Sequence, residues 1–236
     1  MKGKSINILG DSASLRKILE NRISDRMIHE ITNEVDADIT IYFESGEKPK
    51  IKSKNNTIII RPWKENITPF NFKNSIELHI RDLLVVDSKG IWGPADIFEW
   101  GMDLESGNNI NFEKYPIRYW TSKKDIIFLI ETLIEIDDFP QLVSTVCNRK
   151  PWNSHDAFSE FEMLWRRMIN SKKNKIDLID LKVKKIPISI SQIQNKPPNL
   201  KILHEFLKPI NEVGWTPKTP LRISLMECLE EISKIA

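Results

Sequence analysis

Three polar residues follow an apolar run in the middle of the chain, where they could act as acids or bases. Residues 83–86 are apolar without alternation, which predicts a strand buried on both faces of a parallel sheet. In such sheets ligands bind at the carboxyl ends of the strands. The candidate catalytic residues at this end are Asp87, Ser88 and Lys89. A solvated turn explains the same three residues equally well.

A Gly/Pro turn with a tryptophan comes next and could form one wall of a ligand site. Trp92, Gly93 and Pro94 lie just beyond the predicted central strand. An exposed indole there would suit a flat or sugar-like ligand, so these three residues are the candidate substrate contacts. Taken alone, however, the pattern favours a core tryptophan beside a loop.

The amino-terminal stretch has the order strand, small-residue turn, helix. Residues 5–9 predict a strand, and apolar residues from Leu15 onward recur at helical spacing. The free amides of a helix N-terminus can bind a phosphate. Asp11 opposes this role because its charge would repel a pyrophosphate, and the turn keeps only one of the three glycines of the dinucleotide fingerprints. The candidate cofactor contacts are Gly10, Ser12, Ala13 and Ser14.

The composition argues against several classes of protein. Among 236 residues, 35 Lys and Arg nearly balance 33 Asp and Glu, which does not suggest a basic stripe for nucleic acid. The basic run at 48–54 predicts a solvated loop. The apolar runs are shorter than a membrane span and the amino terminus lacks the features of a signal peptide, so we expect a cytoplasmic protein. Cys147 and Cys228 predict reduced core residues, and no Cys/His spacing suggests a metal site.

Hydrophobic periodicity places the remaining elements. Strands are predicted at 38–43, 57–60 and 142–146, and the polar link at 44–56 must be a bare crossover or a hairpin excursion. Ser122 predicts a helix start that resembles a capping box. A basic turn at 172–175 and a polar, proline-marked stretch at 186–198 end the middle part of the chain. Helices are predicted at 24–35, 72–80, 97–102, 122–134, 153–168, 200–207 and 221–235.

Five stretches, in order along the chain, resemble one known family. Residues 8–10 with Leu15 are similar to its first strand and glycine turn, 35–39 to its fourth strand, and 91–96 to its Tyr-Gly-Pro turn. Residues 120–125 resemble the segment that closes on an Asp at the following helix start.

The most specific match is at 213–221, Val-Gly-Trp-Thr-Pro-Lys-Thr-Pro-Leu, with Ser224 where a glycine usually follows. With these motifs the chain resembles the extended short-chain dehydrogenase/reductases. This is the NAD-dependent epimerase/dehydratase group that acts on nucleotide sugars, including dTDP-4-dehydrorhamnose reductase-like members.

The resemblance implies an α/β fold with a reduced Rossmann-type parallel sheet, helices on both faces and a small C-terminal lobe. We expect the sheet in residues 1–146 and a substrate-type lobe packed on it in residues 147–236. The resemblance also implies NAD or NADP as cofactor and a nucleotide sugar or related small molecule as ligand. A homo- or hetero-oligomer with a related protein is the implied assembly.

The departures from the family fall on its functional parts. Between the first helix and the strand at 38–43 there is no room for the family's second and third strands, and the end of the second strand normally contacts the adenosine ribose. Arg61, Pro62 and Trp63 stand where the family has a catalytic Ser or Thr. The predicted helix at 72–80, where its Tyr-x-x-x-Lys pair should lie, has no Tyr.

One Tyr-x-x-x-Lys string does exist, from Tyr119 to Lys123, but it lies after the Gly-Pro turn. Thr121 and Ser122 are helix-capping residue types, so Tyr119 should precede the helix. The two side chains should therefore not share a helix face.

The sequence leaves three functions open. The first is a non-catalytic relative, a binding or regulatory subunit, because the catalytic pair, the Ser/Thr and most cofactor glycines are missing together. The second is an active nucleotide-sugar epimerase, dehydratase or reductase with a reshaped NAD(P) site and substitute acid–base groups. The third is nucleic-acid binding through Arg61, Trp63 and Lys64, which interleave an aromatic ring with cations but lack a wider basic surface.

Overall fold

A computed structural model describes residues 3–10, 15–46, 55–172 and 197–235. Six parallel strands form one sheet in the order β2-β1-β3-β4-β5-β6. The predicted α/β, Rossmann-type class is confirmed. The strands are β1 (Ser5–Gly10), β2 (Glu30–Thr32), β3 (Ile39–Phe43), β4 (Asn56–Pro62), β5 (Ser75–Ile80) and β6 (Leu142–Val146). The helices are α1 (Leu15–Arg26), α2 (Asp96–Ser106), α3 (Lys123–Ile134), α4 (Ser154–Lys172), α5 (Lys201–Asn211) and α6 (Leu221–Ile235).

One face of the sheet is apolar and packs under three helices. Alternate strand residues, among them Ile41, Ile60 and Leu78, share a buried cluster with side chains of α1, α3 and α5. Glu131 of α3 also pairs with Arg22 of α1, at 3.0 Å. Burial of apolar surface on this face is the main stabilising contribution to the sheet.

The opposite face is polar and yet buried. The side chains with the other phase of alternation include six buried polar residues: Thr40, Thr57, Arg61, Ser75, Glu77 and His79. Residues 63–74, which connect β4 to β5 without a helix, lie over part of this face. We call residues 63–74 the strap. Parallel strands that are buried on both faces are normally apolar on both. The buried polar face of this sheet departs from that pattern.

A second apolar cluster forms the lobe beside the sheet. Its centre is Trp100 of α2, whose ring contacts Tyr115, Trp120, Phe158 and Phe161 at centroid distances of 5.6–6.2 Å. Helices α2, α4 and α6 all contribute to this cluster. It takes residues from both sides of position 147, and the division into 1–146 and 147–236 stays a prediction.

Three predicted elements are wrong. Residues 83–86 form no strand: Leu83 makes one isolated bridge to Thr121. The segment is apolar without alternation because it passes between the two clusters, with Leu83 and Val85 in the first and Leu84 in the second. The strand that precedes the Gly-Pro turn is instead β5, next to the edge strand β6 and at the position predicted to be a helix. Its polar residues are buried on the polar face, so the sequence pattern did not indicate a buried strand.

The predicted helix at 24–35 is also wrong. Helix α1 ends at Arg26, Met27 takes a positive φ of 51°, and β2 follows. A second strand therefore exists, although it has three residues. Strands β3 and β4 pair in parallel, so they do not form a hairpin with each other. Residues 47–54 of the link between them lie outside the described residues.

The other described elements agree with the sequence. Ser122 caps α3 by accepting a hydrogen bond from the amide of Lys124, and Gly107 ends α2 with a φ of 69°. The predicted loop at 48–54 and most of the stretches at 172–175 and 186–198 lie outside the described residues. Within the described ranges, no helix is long and apolar enough to cross a membrane.

Candidate functional site

The candidate site lies where the carboxyl ends of β4, β5 and β6 meet the lobe. Arg81 follows β5, and its amide donates a hydrogen bond to the carbonyl of Val146 at the end of β6. Its guanidinium carbon lies 4.8 Å from the ring centroid of Trp63 and 5.5 Å from that of Tyr119. Trp63 lies in the connection that follows β4, and Tyr119 lies in the connection from β5 to β6. Through these cation–π contacts, Arg81 joins the two connections at this edge.

A cavity of about 430 Å³ opens beside Tyr119, between the end of β6 and the start of α5. Arg149 donates a hydrogen bond to the carbonyl of Trp215 and contacts Nδ1 of His204. Exposed Lys201 adds a second cation. Two cations beside an aromatic ring suit a ligand that combines an anionic group with a planar one. The remaining lining residues are Pro151, Pro197, Pro198 and Leu200.

Asp82 is the buried acid of this edge. Burial raises the pKa of its carboxyl, against the hydrogen bond from the Tyr119 amide (2.8 Å) and the charges of Arg118 and Arg81. Its φ of 51° is uncommon for a residue other than glycine. Asp82 thus ties the end of β5 to the segment that carries Tyr119.

The motif at 213–221 holds the lobe against the sheet edge. The Asp125 carboxylate, at the start of α3, accepts hydrogen bonds from the amides of Lys218 and Thr219 and from the Thr219 hydroxyl (2.9–3.3 Å). The indole of Trp215 donates to the carbonyl of Cys147, directly after β6, at 2.7 Å. These contacts give a physical reason for the spacing of the tryptophan, the threonine and the acid in the motif.

The predicted acid–base residues lie in a turn well beyond the end of β5. The Asp87 carboxylate accepts hydrogen bonds from the amides of Lys89, Ile91 and Trp92, at 2.8–3.0 Å. Ser88 and Lys89 are exposed. None of the three lines the cavity beside Tyr119.

The predicted substrate contacts pack against the sheet and its connections. Trp92 is 6% exposed and meets the Phe43 ring edge-on at a centroid distance of 6.3 Å. A Cβ on Gly93 would lie 2.1 Å from the carbonyl oxygen of Leu83, which requires a glycine there. Pro94 is half-buried. These side chains therefore offer little surface to a ligand.

The predicted cofactor contacts are only partly described. Gly10 ends β1 with a φ of 81°, and a Cβ there would lie 1.8 Å from the carbonyl oxygen of Phe43. Close packing of β1 and β3 is enough to require this glycine. Ser12, Ala13 and Ser14 lie outside the described residues. On the neighbouring strand, β2 ends with Thr32 opposite Asn7, roughly 10 Å short of Gly10 at the usual rise per residue.

The segment Arg61-Pro62-Trp63 divides between two environments. Arg61 is buried on the polar face, where its guanidinium pairs with Glu77 (2.8 Å) and Glu44 (3.0 Å). Trp63 and Lys64 are exposed. Ion pairing thus removes Arg61 from the surface on which the nucleic-acid hypothesis placed it.

The Tyr-x-x-x-Lys string does not form a pair. Tyr119 lines the cavity and precedes α3, whereas Lys123 is buried and forms an ion pair with Glu231 of α6.

The sequence reasoning missed Asp82, Arg149 and His204. Arg149 could have been found, because it follows the correctly predicted strand at 142–146. Asp82 was missed because the strand was predicted at residues 83–86, after this residue, and not at Ser75–Ile80, before it.

Comparisons with known proteins support the fold. No protein-family profile and no curated protein sequence matches the chain. Solved structures do match it over nearly its full length. At 7–9% identity, the likeness to the structures described below is one of fold.

Three of these structures illustrate the likeness. The UDP-N-acetylglucosamine 4-epimerase from Bacillus cereus has a TM-score of 0.58 at 7% identity, over 98% of this chain and 99% of the other. RMD from Pseudomonas aeruginosa, solved with NADPH, has a TM-score of 0.59 at 9% identity, over 99% of both chains. The enzyme WbmG from Bordetella bronchiseptica, solved with NAD and UDP, has a TM-score of 0.57 at 9% identity, over 99% of this chain and 96% of the other.

Proposed function

We propose that this protein is a binding or regulatory subunit that uses the fold of the nucleotide-sugar enzymes without their Ser/Tyr/Lys chemistry. Its ligand would be a nucleotide sugar or a related molecule with a diphosphate. A protein partner, either a second copy or a related enzyme, would be regulated by this ligand binding.

The strap is the observation that carries this proposal. By resemblance, the Tyr-x-x-x-Lys helix should precede the strand that leads to the Gly-Pro turn, and that strand is β5. The described chain has a segment without a helix there, residues 63–74, and it contains no Tyr. Arg61, near the place of the Ser or Thr, is committed to ion pairs with Glu77 and Glu44. The element that would carry the acid–base pair is therefore replaced by a structural one.

The dinucleotide site also departs from what a cofactor would need. In the family, the end of β2 reaches the ribose. Here β2 stops at Thr32, opposite Asn7, and falls short of the carboxyl-terminal end of the neighbouring strand β1. Gly10 is accounted for by strand packing. The described residues thus do not complete a site for NAD or NADP, and we assign no step to either cofactor.

The cavity beside Tyr119 is the proposed ligand site. Arg149, Lys201 and His204 supply donors for phosphate oxygens, and the tyrosine ring offers a surface for a planar group. The similar enzyme from Bordetella bronchiseptica was solved with UDP, which makes uridine nucleotides a sensible first probe.

Thermal unfolding with millimolar UDP, UDP-glucose, dTDP-glucose, NAD and NADP tests the proposal. A ligand present at a hundred times its Kd stabilises the folded state by about 2.7 kcal/mol. For a chain of this size that corresponds to a rise in Tm of roughly 5–10 °C. We expect this rise with UDP or a nucleotide sugar, its loss in Arg149→Ala, and its retention in Lys17→Ala, which removes an exposed cation on α1.

Two results would contradict the proposal. A rise in Tm with NAD or NADP would show that a dinucleotide site exists in spite of the short β2. The lack of any rise with the uridine and thymidine nucleotides would remove the nucleotide-sugar assignment. Sedimentation velocity of the purified chain, alone and with a related active enzyme, tests the subunit role.

An active enzyme is the second candidate, and Asp82 is the observation that favours it. Burial raises the pKa of this carboxyl, which sits at the carboxyl end of β5 beside Tyr119. Asp87, Ser88 and Lys89 would be further acid–base groups under this proposal. Turnover of a nucleotide sugar that is abolished in Asp82→Asn, with the fold intact by circular dichroism, would establish this second function in place of the first.

A further inference from the structure

A groove runs between α4 and α6, on the lobe and away from the cavity beside Tyr119. Its volume is about 680 Å³. Leu164 and Met168 of α4 and Ile223, Met226 and Leu229 of α6 form an apolar floor. Met226 is 51% exposed and Ile223 is 41% exposed, so this floor faces solvent along part of its length.

The length of the groove matches a short helix. On α6 its lining residues run from Arg222 to Ser233 and cluster at spacings of three and four, which is one helix face about 16 Å long. Helix α4 forms the opposite wall. Two packed helices with an open apolar seam are the usual receptor for a third, amphipathic helix, and the flexible methionines adapt to different side chains.

The charges beside the seam indicate what the third helix should carry. Glu227 and Glu230 are already paired, with Lys124 and Lys234 respectively. Arg167 on α4 and Arg222 on α6 are exposed and have no ionic or hydrogen-bonding partner among the described residues. One unpaired cation therefore stands on each wall of the groove.

From this arrangement we infer that the groove binds an amphipathic helix of a partner protein, with apolar residues along one face and carboxylates on both flanks. The apolar face would cover Met226 and Ile223, and the flanking carboxylates would pair with Arg167 and Arg222. This surface is independent of the proposed nucleotide cavity, so either assignment can fail without the other.

Fluorescence anisotropy with synthetic helical peptides tests the inference. The probe is a labelled peptide of about 14 residues, four turns long, with Leu along one face and Glu on both flanks. Matched peptides carry Lys in place of every Glu, or Ser in place of every Leu. The protein variants are Met226→Glu, the double variant Arg167→Glu/Arg222→Glu, and Lys17→Glu as a control on a distant helix.

We expect saturable binding of the acidic peptide that is lost in Met226→Glu and unchanged in Lys17→Glu. The double variant should bind the acidic peptide roughly tenfold more weakly and should prefer the basic one, because rim charges set specificity. Both variants alter exposed positions, and circular dichroism would verify their fold.

Three results would overturn the inference. The first is equal affinity for the acidic and basic peptides, and the second is no saturable binding of the acidic peptide at millimolar concentration. The third is self-association of the free chain that Met226→Glu abolishes, because the occupant of the groove would then be a second copy.

Discussion

Replacement of Glu77 by alanine is the sharpest test of the structural role assigned to the strap. Glu77 is 1% exposed. Its carboxylate receives hydrogen bonds from Arg61 (2.8 Å), from the ring of His79 (2.7 Å) and from the amide of Phe70 (2.8 Å). Removal of the carboxylate therefore leaves three donors in a buried place without this acceptor.

The magnitude follows from the partners that remain. Breaking a buried ion pair costs about 3–5 kcal/mol when one partner is left without compensation. Arg61 keeps Glu44 and the carbonyl of Thr68, so we expect the lower part of this range, about 3–4 kcal/mol. For a chain of this size, that free energy corresponds to a fall in Tm of roughly 6–16 °C.

Urea unfolding followed by tryptophan fluorescence would measure the change in the free energy of unfolding. Glu65→Ala is the matched control, since Glu65 is an exposed acid on the same strap without an ionic or hydrogen-bonding partner in the described part of the chain. It should change stability by less than about 0.5 kcal/mol. If Glu77→Ala is as stable as Glu65→Ala, the strap is not anchored by this cluster and the argument against a catalytic segment there fails.

Three further predictions concern pH, the lobe anchor and strand packing. Burial alone would raise the pKa of Glu77, but hydrogen bonds from His79, Arg61 and the Phe70 amide outweigh it and hold the pKa below the ordinary value of 4.5. The stability this gives is present above that ordinary value and is lost as the pH falls through the lower folded-state pKa. Urea midpoints of the wild type should therefore drop in acid more steeply than those of Glu77→Gln. Asp125→Ala leaves two amides and a hydroxyl without their acceptor and should lower the free energy of unfolding by about 2–4 kcal/mol. Thr219→Val removes only the hydroxyl and should lower it by about 1 kcal/mol. Equal losses for the two variants in chemical denaturation would count against the anchoring role of Asp125. Gly10→Ala should lower Tm far more than Gly46→Ala: both residues have a positive φ, but the new Cβ meets the Phe43 carbonyl at 1.8 Å in the first case and nothing within 4 Å in the second.

The candidate site was only partly accessible from sequence. The match at 213–221 pointed to a real anchor, because a tryptophan, a threonine and a distant acid have fixed partners in this fold. Arg149 follows a correctly predicted strand and was within reach of sequence reasoning. Asp82 was not, because a single aspartate carries no pattern and becomes a candidate only when the ends of β5 and β6 are known to be neighbours in the sheet.

The sequence by itself determined most of the elements through its local patterns, and its family resemblance supplied the parallel α/β class. The apolar stripes predicted α3, α4 and α6, and the β-branched runs predicted β3, β4 and β6, because helical and strand periodicity are properties of short segments. Only the tertiary structure decided how residues 72–86 fold. Ser75–Ile80 is a strand whose polar residues are buried by ion pairs with β4 and contacts with the strap. Residues 83–86 are apolar because two separate clusters enclose them. Burial of a charge depends on a partner distant in sequence, and a segment between two clusters has the same composition as an interior strand, so neither fact is encoded in the local pattern.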